Sequence, residues 1–251
     1  MKTPLVTRES MLREMGINTL WRRKGGESVS AVAVPSTHVL ATTEVDLPIA
    51  PAVRESGLVQ SPSNASSNWD VLAQEVANCR SCALCEHRNQ AVLGVGDLHP
   101  DWLFVGEGPG AEEDAKGEPF VGQAGKLLDN MLAALSIKRG QGVYIANAVK
   151  CRPQGNRTPE HGEMAACRPF LEKQIAWLKP KMIILLGRAA VHSVLKEDKA
   201  LGTLRQQRFE YQGIPAVVTY HPAYLLRNLV DKSKAWEDLL FARQCLSRQK
   251  P

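Results

Sequence analysis

Three short segments and one set of cysteines carry the side chains with chemistry to offer. The first segment is Gly106-Glu107-Gly108-Pro109-Gly110-Ala111-Glu112-Glu113-Asp114. Alternating glycines let a backbone turn tightly and come close to a ligand. A dinucleotide fingerprint needs G-x-G-x-x-G leading straight into a helix, and here Pro109 and three acids intervene, which repel a pyrophosphate. The loop is thus either a tight turn or a site of another kind. The second segment runs from Asn147 through Lys150-Cys151-Arg152-Pro153 to Asn156-Arg157-Thr158-Pro159. An Asn offers an acceptor and two donors, enough to read the edge of a base, or it can bond neighbouring backbone. Arg152 and Arg157 suit phosphates. The third segment is His221-Pro222-Ala223-Tyr224-Leu225-Leu226-Arg227-Asn228. Its His fits either a structural cap or a catalytic group. Its Leu-Leu-Arg fits either ordinary packing or an apolar wedge beside a phosphate anchor.

The cysteines are Cys79, Cys82, Cys85, Cys151, Cys167 and Cys245. Cys79-x2-Cys82 has metal-ligand spacing, but the second C-x2-C of a zinc ribbon is missing. Cys85 extends the pair to C-x2-C-x2-C, yet the next cysteine of a ferredoxin run would fall at Asn89. Spacing leaves zinc and an iron–sulfur cluster both open.

The elements that must position these residues follow from periodicity. A helix is expected over Trp69–Asn78, with Val71, Leu72, Val76 and Ala77 on its apolar side. Strands are expected at Leu103–Val105, Val143–Val149, Met182–Leu186 and Ala216–Tyr220. Helices are expected at Gly125–Leu135, at Glu160–Leu178 with a break at Pro169, and at Ser233–Ser247. Strands alternating with helices predict an α/β fold with a parallel sheet covered on both faces. In such sheets ligands sit beyond the carboxyl ends of the strands, which is where all three segments begin.

The 251 residues are 44% hydrophobic and 23% charged, enough to bury a core. Residues 1–68 read differently. Thr7–Lys24 suggests a short helix, whereas Gly25–Asn68 has no aromatic residue and is punctuated by Pro35, Pro48, Pro51 and Pro62. A flexible extension is expected there, carrying either a docking peptide or a tail without a partner. Residues 69–251 are expected to form the folded domain. No apolar run is long enough for a membrane span, and Met1–Met15 lacks the apolar core of a secretory signal, so a cytoplasmic location is expected; the chain is separately expected to be a monomer. A net charge of +5 is compatible with a nucleic-acid partner.

Taken together, GEGPG-x-EED with a following PFVG, YI-x-N-x-VKCRP with NR-x-P, and HPAYLLRN resemble the family 4 uracil-DNA glycosylases, which carry a [4Fe–4S] cluster. The resemblance covers Cys79 to the terminal helix, about two thirds of the chain. It implies a central four-stranded parallel sheet flanked by helices. It implies Cys79, Cys82, Cys151 and Cys167 as cluster ligands, leaving Cys85 and Cys245 as free thiols. It implies that Asn147 reads the uracil edge, Phe120 stacks on the flipped base, Glu113 holds the pocket shape, and His221 bonds the O2 side. Glu107 and Gly108 would line the loop beneath the sugar, with Glu107 the first candidate to position water. Leu225 and Leu226 would fill the hole left in the duplex, while Arg227, Arg152 and Arg157 would grip backbone. The activity implied is hydrolysis of the uracil N-glycosidic bond without strand cleavage. The substrate is uracil-containing DNA, and a replication or repair partner could bind residues 1–68. Two other readings are a base-binding module that has lost catalysis, and a zinc-dependent hydrolase. Against the latter, no His/Asp cluster with an open-site pattern is visible in the sequence.

Overall fold

The computed structural model describes residues 63–248. The expected helix at Thr7–Lys24 and most of the 1–68 extension lie outside the described residues. A six-stranded sheet forms the centre. Its strands are β1 (Val95–Gly96), β2 (Trp102–Gly106), β3 (Val143–Asn147), β4 (Met182–Leu186), β5 (Phe209–Tyr211) and β6 (Ile214–Thr219), in the order β1-β3-β2-β4-β6-β5. The helices are α1 (Ser63–Asn78), α2 (Ala111–Lys116), α3 (Gln123–Ala134), α4 (His161–Leu178), α5 (Arg188–Leu195), α6 (Leu201–Leu204), α7 (Pro222–Arg227) and α8 (Lys232–Ser247).

The four expected strands are the central ones, β3-β2-β4-β6, and they pair in parallel. The expected four-stranded sheet is too small, because antiparallel strands β1 and β5 close its two edges. β1 has only two residues and no readable alternation. β5 joins β6 through Gln212-Gly213, both with positive φ (51° and 81°), the geometry of a two-residue hairpin turn.

Burial of both faces explains why the central strands read as continuous apolar runs. Successive side chains alternate between faces. Phe104, Ile145, Ile184 and Val217 pack with Leu128 and Met131 of α3 and Trp236 and Leu239 of α8. Leu103, Val105, Ile183 and Val218 pack instead with Leu171 and Ile175 of α4 and Val191 of α5.

Two helices differ from expectation. α1 begins at Ser63 and buries Leu72 and Val76, while Val71 is 54% exposed and Ala77 faces solvent. The true stripe is Trp69, Leu72 and Val76, at helical spacing; Trp69 meets Tyr144 edge-on at 5.5 Å. α4 runs unbroken through Pro169. Both Pro169 and Ala165 are exposed, so the carbonyl that loses its helical donor can be hydrated instead.

Candidate functional site

β3 lies on one side of β2 and β4 on the other, so the chain reverses its winding direction beside β2. The carboxyl ends of β2, β3, β4 and β6 deliver Glu107, Asn147, Gly187 and His221 to one crevice, the position expected of a ligand in such a sheet. A cavity of about 400 Å³ there is lined by Glu107, Gly108, Glu113, Phe120, Asn147, Arg157, His221, Tyr224 and Arg227, among others. The structure thus brings the predicted pocket residues together.

Asn147 ends β3 directly opposite Gly106 of β2. A Cβ on Gly106 would stand 2.5 Å from both Asn147 Oδ1 and Phe120 Cζ. Only glycine lets the amide and the ring converge there. Phe120 sits at φ 54°, a costly conformation for an aromatic residue. Arg139 restrains this turn by donating from Nη1 to Pro119 O and from Nη2 to Phe120 O, both at 2.8 Å. Glu113 restrains the next residues: Oε1 accepts from the N–H groups of Val121 and Gly122, each at 3.0 Å, and Oε2 from that of Gly110 at 3.1 Å. The Glu113 carboxylate thereby ties two loops together.

His221 caps α7, with Nδ1 accepting from the Ala223 N–H at 3.2 Å. That bond requires an unprotonated Nδ1, so in the neutral ring the proton is on Nε2. Burial, aided by Arg227 and opposed by Glu113, lowers the imidazole pKa to about 4. The ring is neutral at physiological pH. Of the two readings left open by the sequence, the structure shows the cap, and that cap on Nδ1 fixes Nε2–H as a donor facing the cavity. His221 Nε2 and Asn147 Oδ1 are both buried without a protein partner, which is costly unless a ligand satisfies them. The Phe120 ring lies 5.4 Å from that of His221. Glu107 borders the same cavity, and burial raises its carboxyl pKa against a hydrogen bond with Thr158.

Two expected DNA contacts change. Leu225 is 0% exposed and packs in the core with α3 and α8, so it cannot act as the wedge; Leu226, at 41%, is the exposed member of the pair. Helical spacing decides this, since adjacent residues on α7 point about 100° apart. Arg157 is paired through both nitrogens with Glu163, at 2.8 and 2.6 Å, so it buttresses the start of α4. Arg152 bonds Asn156, and Arg227 lines the cavity.

Beneath this crevice, Cys79, Cys82, Cys85, Cys151 and Cys167 surround a small internal space. Cys245 lies elsewhere, on the core-facing side of α8. Burial pushes the Cys167 thiol up to about 11 and also raises Cys82 and Cys151. Thiolates there need a cation's charge to hold them ionised. Arg88 donates to Cys151 Sγ at 2.8 Å, and the Lys150 N–H to Cys167 Sγ at 3.2 Å.

Arg139 and Arg88 escaped the sequence reading, and Lys150 was part of the second segment but was given no role. Lys150 is fully buried, its pKa lowered by burial to about 8. Its Nζ donates to Asn147 O at 2.9 Å and Gln174 Oε1 at 2.6 Å. The same residue therefore touches Cys167 through its backbone and Asn147 through its side chain. Its signal was a charge directly after a buried strand. Arg139 gave none, lying 19 residues from its partner Phe120. A His/Asp cluster absent from the sequence pattern also forms, from His161, His192 and Asp198.

Comparison with known proteins places this geometry in context. The Uracil DNA glycosylase superfamily matches residues 93–240. A Type-4 uracil-DNA glycosylase of Saccharolobus solfataricus is 38% identical over 188 residues, 72% of this chain and 87% of the relative. One from Thermotoga maritima is 43% identical over 161 residues, covering 63% and 83%. One from Pyrobaculum aerophilum is 40% identical over 176 residues, covering 67% and 89%.

Proposed function

The chain belongs to the uracil-DNA glycosylase superfamily, and from this membership and the crevice we infer a DNA glycosylase that hydrolyses the N-glycosidic bond of uracil in base excision repair. The observation that carries the assignment of its residues is the pair of unpartnered buried atoms, Asn147 Oδ1 and His221 Nε2, in the wall of one cavity beside Phe120. Uracil offers an N3–H donor and the acceptors O4 and O2. Asn147 Oδ1 would accept from N3–H and its amide NH₂ donate to O4, while His221 donates to O2. Cytosine reverses that pattern at N3 and N4 and would leave buried groups unpaired, which rejects a wrong ligand strongly.

A base must leave the duplex to reach this pocket. Leu226 would enter the gap and Arg227 contact the backbone. As the glycosidic bond breaks, charge gathers on the uracil oxygens, and a fixed donor at O2 stabilises it most in the transition state. A neutral His221 donates without requiring a proton from solvent. Glu107 is the first candidate to orient the attacking water. No lysine nucleophile is required, and the product is an abasic site on an intact strand.

Cys79, Cys82, Cys151 and Cys167 would hold a [4Fe–4S] cluster. What supports this is that all four line one small internal space and that burial alone would keep Cys82, Cys151 and Cys167 protonated, so a bound cationic group is needed to hold them as thiolates. When bound, the cluster supplies a covalent cross-link between the 79–82 segment, the loop after β3 and α4.

Among the described residues no helix is long and apolar enough to cross a membrane. The reading includes a monomer acting in the cytoplasm, with residues 1–68 as an extension that could engage a repair or replication partner. The test is excision from oligonucleotides bearing U:G, U:A or single-stranded uracil, with cytosine as control. Uracil-dependent alkali-labile sites support it. Binding of uracil DNA without release of base would favour the non-catalytic module.

A further inference from the structure

His161, His192 and Asp198 come from the first residue of α4, the last turn of α5 and the α5–α6 connection. One ligand atom from each lies within 4.8 Å of the others. His192 Nδ1 is 2.7 Å from Asp198 Oδ1, and the two imidazole rings stand 4.1 Å apart at 63°. All three groups line a cavity of about 560 Å³ that shares Glu107, Thr158 and His221 with the base pocket. Glu197 adds negative charge to that cavity and Arg188 opposes it.

We propose that His161, His192 and Asp198 form a binding site for a divalent transition-metal ion of the zinc type. Two imidazoles and a carboxylate suit zinc, nickel or copper rather than magnesium or calcium, which prefer oxygen ligands. Bonds of about 2.0–2.2 Å in a tetrahedron set ligand atoms roughly 3.4 Å apart. The present separations, 2.7 Å for the His192–Asp198 pair and at most 4.8 Å for the others, bracket that value, and Asp198 is 66% exposed on a connection that can adjust. Three protein ligands leave a coordination position open toward the shared cavity. The ion would fasten the start of α4 to the α5–α6 connection and add positive charge beside the DNA-binding crevice, where water or a phosphate oxygen could complete its shell. The site is distinct from the cysteines, since it involves none of them.

The experiment uses the full chain with its native cysteine-bound cofactor intact, titrated with zinc chloride under anaerobic conditions and followed by calorimetry and metal analysis after dialysis. Wild-type protein should take up a single equivalent of zinc. His192→Ala and His161→Ala should each weaken uptake by at least the ~10- to 100-fold seen when only a supporting residue is lost. Asp198→Asn, in an exposed connection, should weaken it without affecting folding. Zinc should raise the melting temperature of wild type and not of the His variants. Cobalt in place of zinc should give a spectrum without strong thiolate charge-transfer absorption. Absence of zinc uptake, or uptake equal in wild type and all three variants, would overturn the proposal, the latter assigning the ion to thiols.

Discussion

The base pocket and the cysteine lobe share the loop after β3 but are built on opposite plans. In the pocket, polar atoms are fixed by the sheet and left unpaired: Asn147 Oδ1 at a strand end and His221 Nε2 on a helix cap. In the lobe, the thiols come from segments with little regular structure of their own, a short 3₁₀ turn at Ala83–Glu86 and the loop after β3, with only Cys167 on a long helix. A scaffold of paired strands can hold two unsatisfied groups in wait for a ligand. Loops that gather half-buried and buried thiols around one space have few contacts of their own, and a bound group would fasten them. On the proposed reading, the difference lies in where binding energy is used: in the pocket for recognition, in the lobe for order.

That contrast can be broken at the lobe first, where the expected effect is all-or-none. Cys151→Ala should abolish bound iron and acid-labile sulfide and release the loop that carries Lys150. Iron analysis and solubility check it. Stoichiometric zinc without sulfide in anaerobically purified wild type would remove the basis of the contrast.

At the pocket, His221→Ala should slow single-turnover excision about 100- to 1,000-fold, the usual cost of one charge-stabilising donor, while affinity for uracil DNA changes little. The cluster content should be unaltered. An unchanged rate would leave His221 as a cap alone.

Adjacent leucines sharpen the distinction between scaffold and contact. Leu225→Ala, in the core, should destabilise folding by roughly 2 to 5 kcal/mol. Leu226→Ala should leave stability nearly constant and reduce excision from duplex more than from single-stranded DNA. Denaturant melts and paired substrate assays separate the two.

The smallest expected effect is on pH dependence. With His221 at about 4 in the fold against about 6.5 unfolded, the unfolded chain takes up this proton first as pH falls. Stability from this residue is thus full above about pH 6.5 and is lost progressively toward pH 4. The single-turnover rate should show no inflection near 6.5 from His221. Melting temperatures of wild type and His221→Gln across this window isolate the contribution.

The parallel core, the helix at α3, the C-x2-C pair and the three segments at strand ends were legible because each is local: an apolar run, a helical period, a fixed spacing. The antiparallel edges were not, since β1 is two residues long and β5 depends on its partner. The sequence by itself determined which residue types reach the crevice, because a parallel strand delivers whatever follows it to the same end of the sheet. Only the tertiary structure decided what those residues do there. Leu225 and Leu226 are equivalent in composition, and rotation about α7 alone sends one inward. Arg157 resembles a phosphate ligand until Glu163 occupies it. Lys150, Arg139 and the His161–His192–Asp198 group acquire roles from contacts across many residues of chain. His221 shows both sides: its place after β6 is written in the sequence, but its proton position and depressed pKa follow from the Ala223 N–H and from burial, which exist only once the chain has folded.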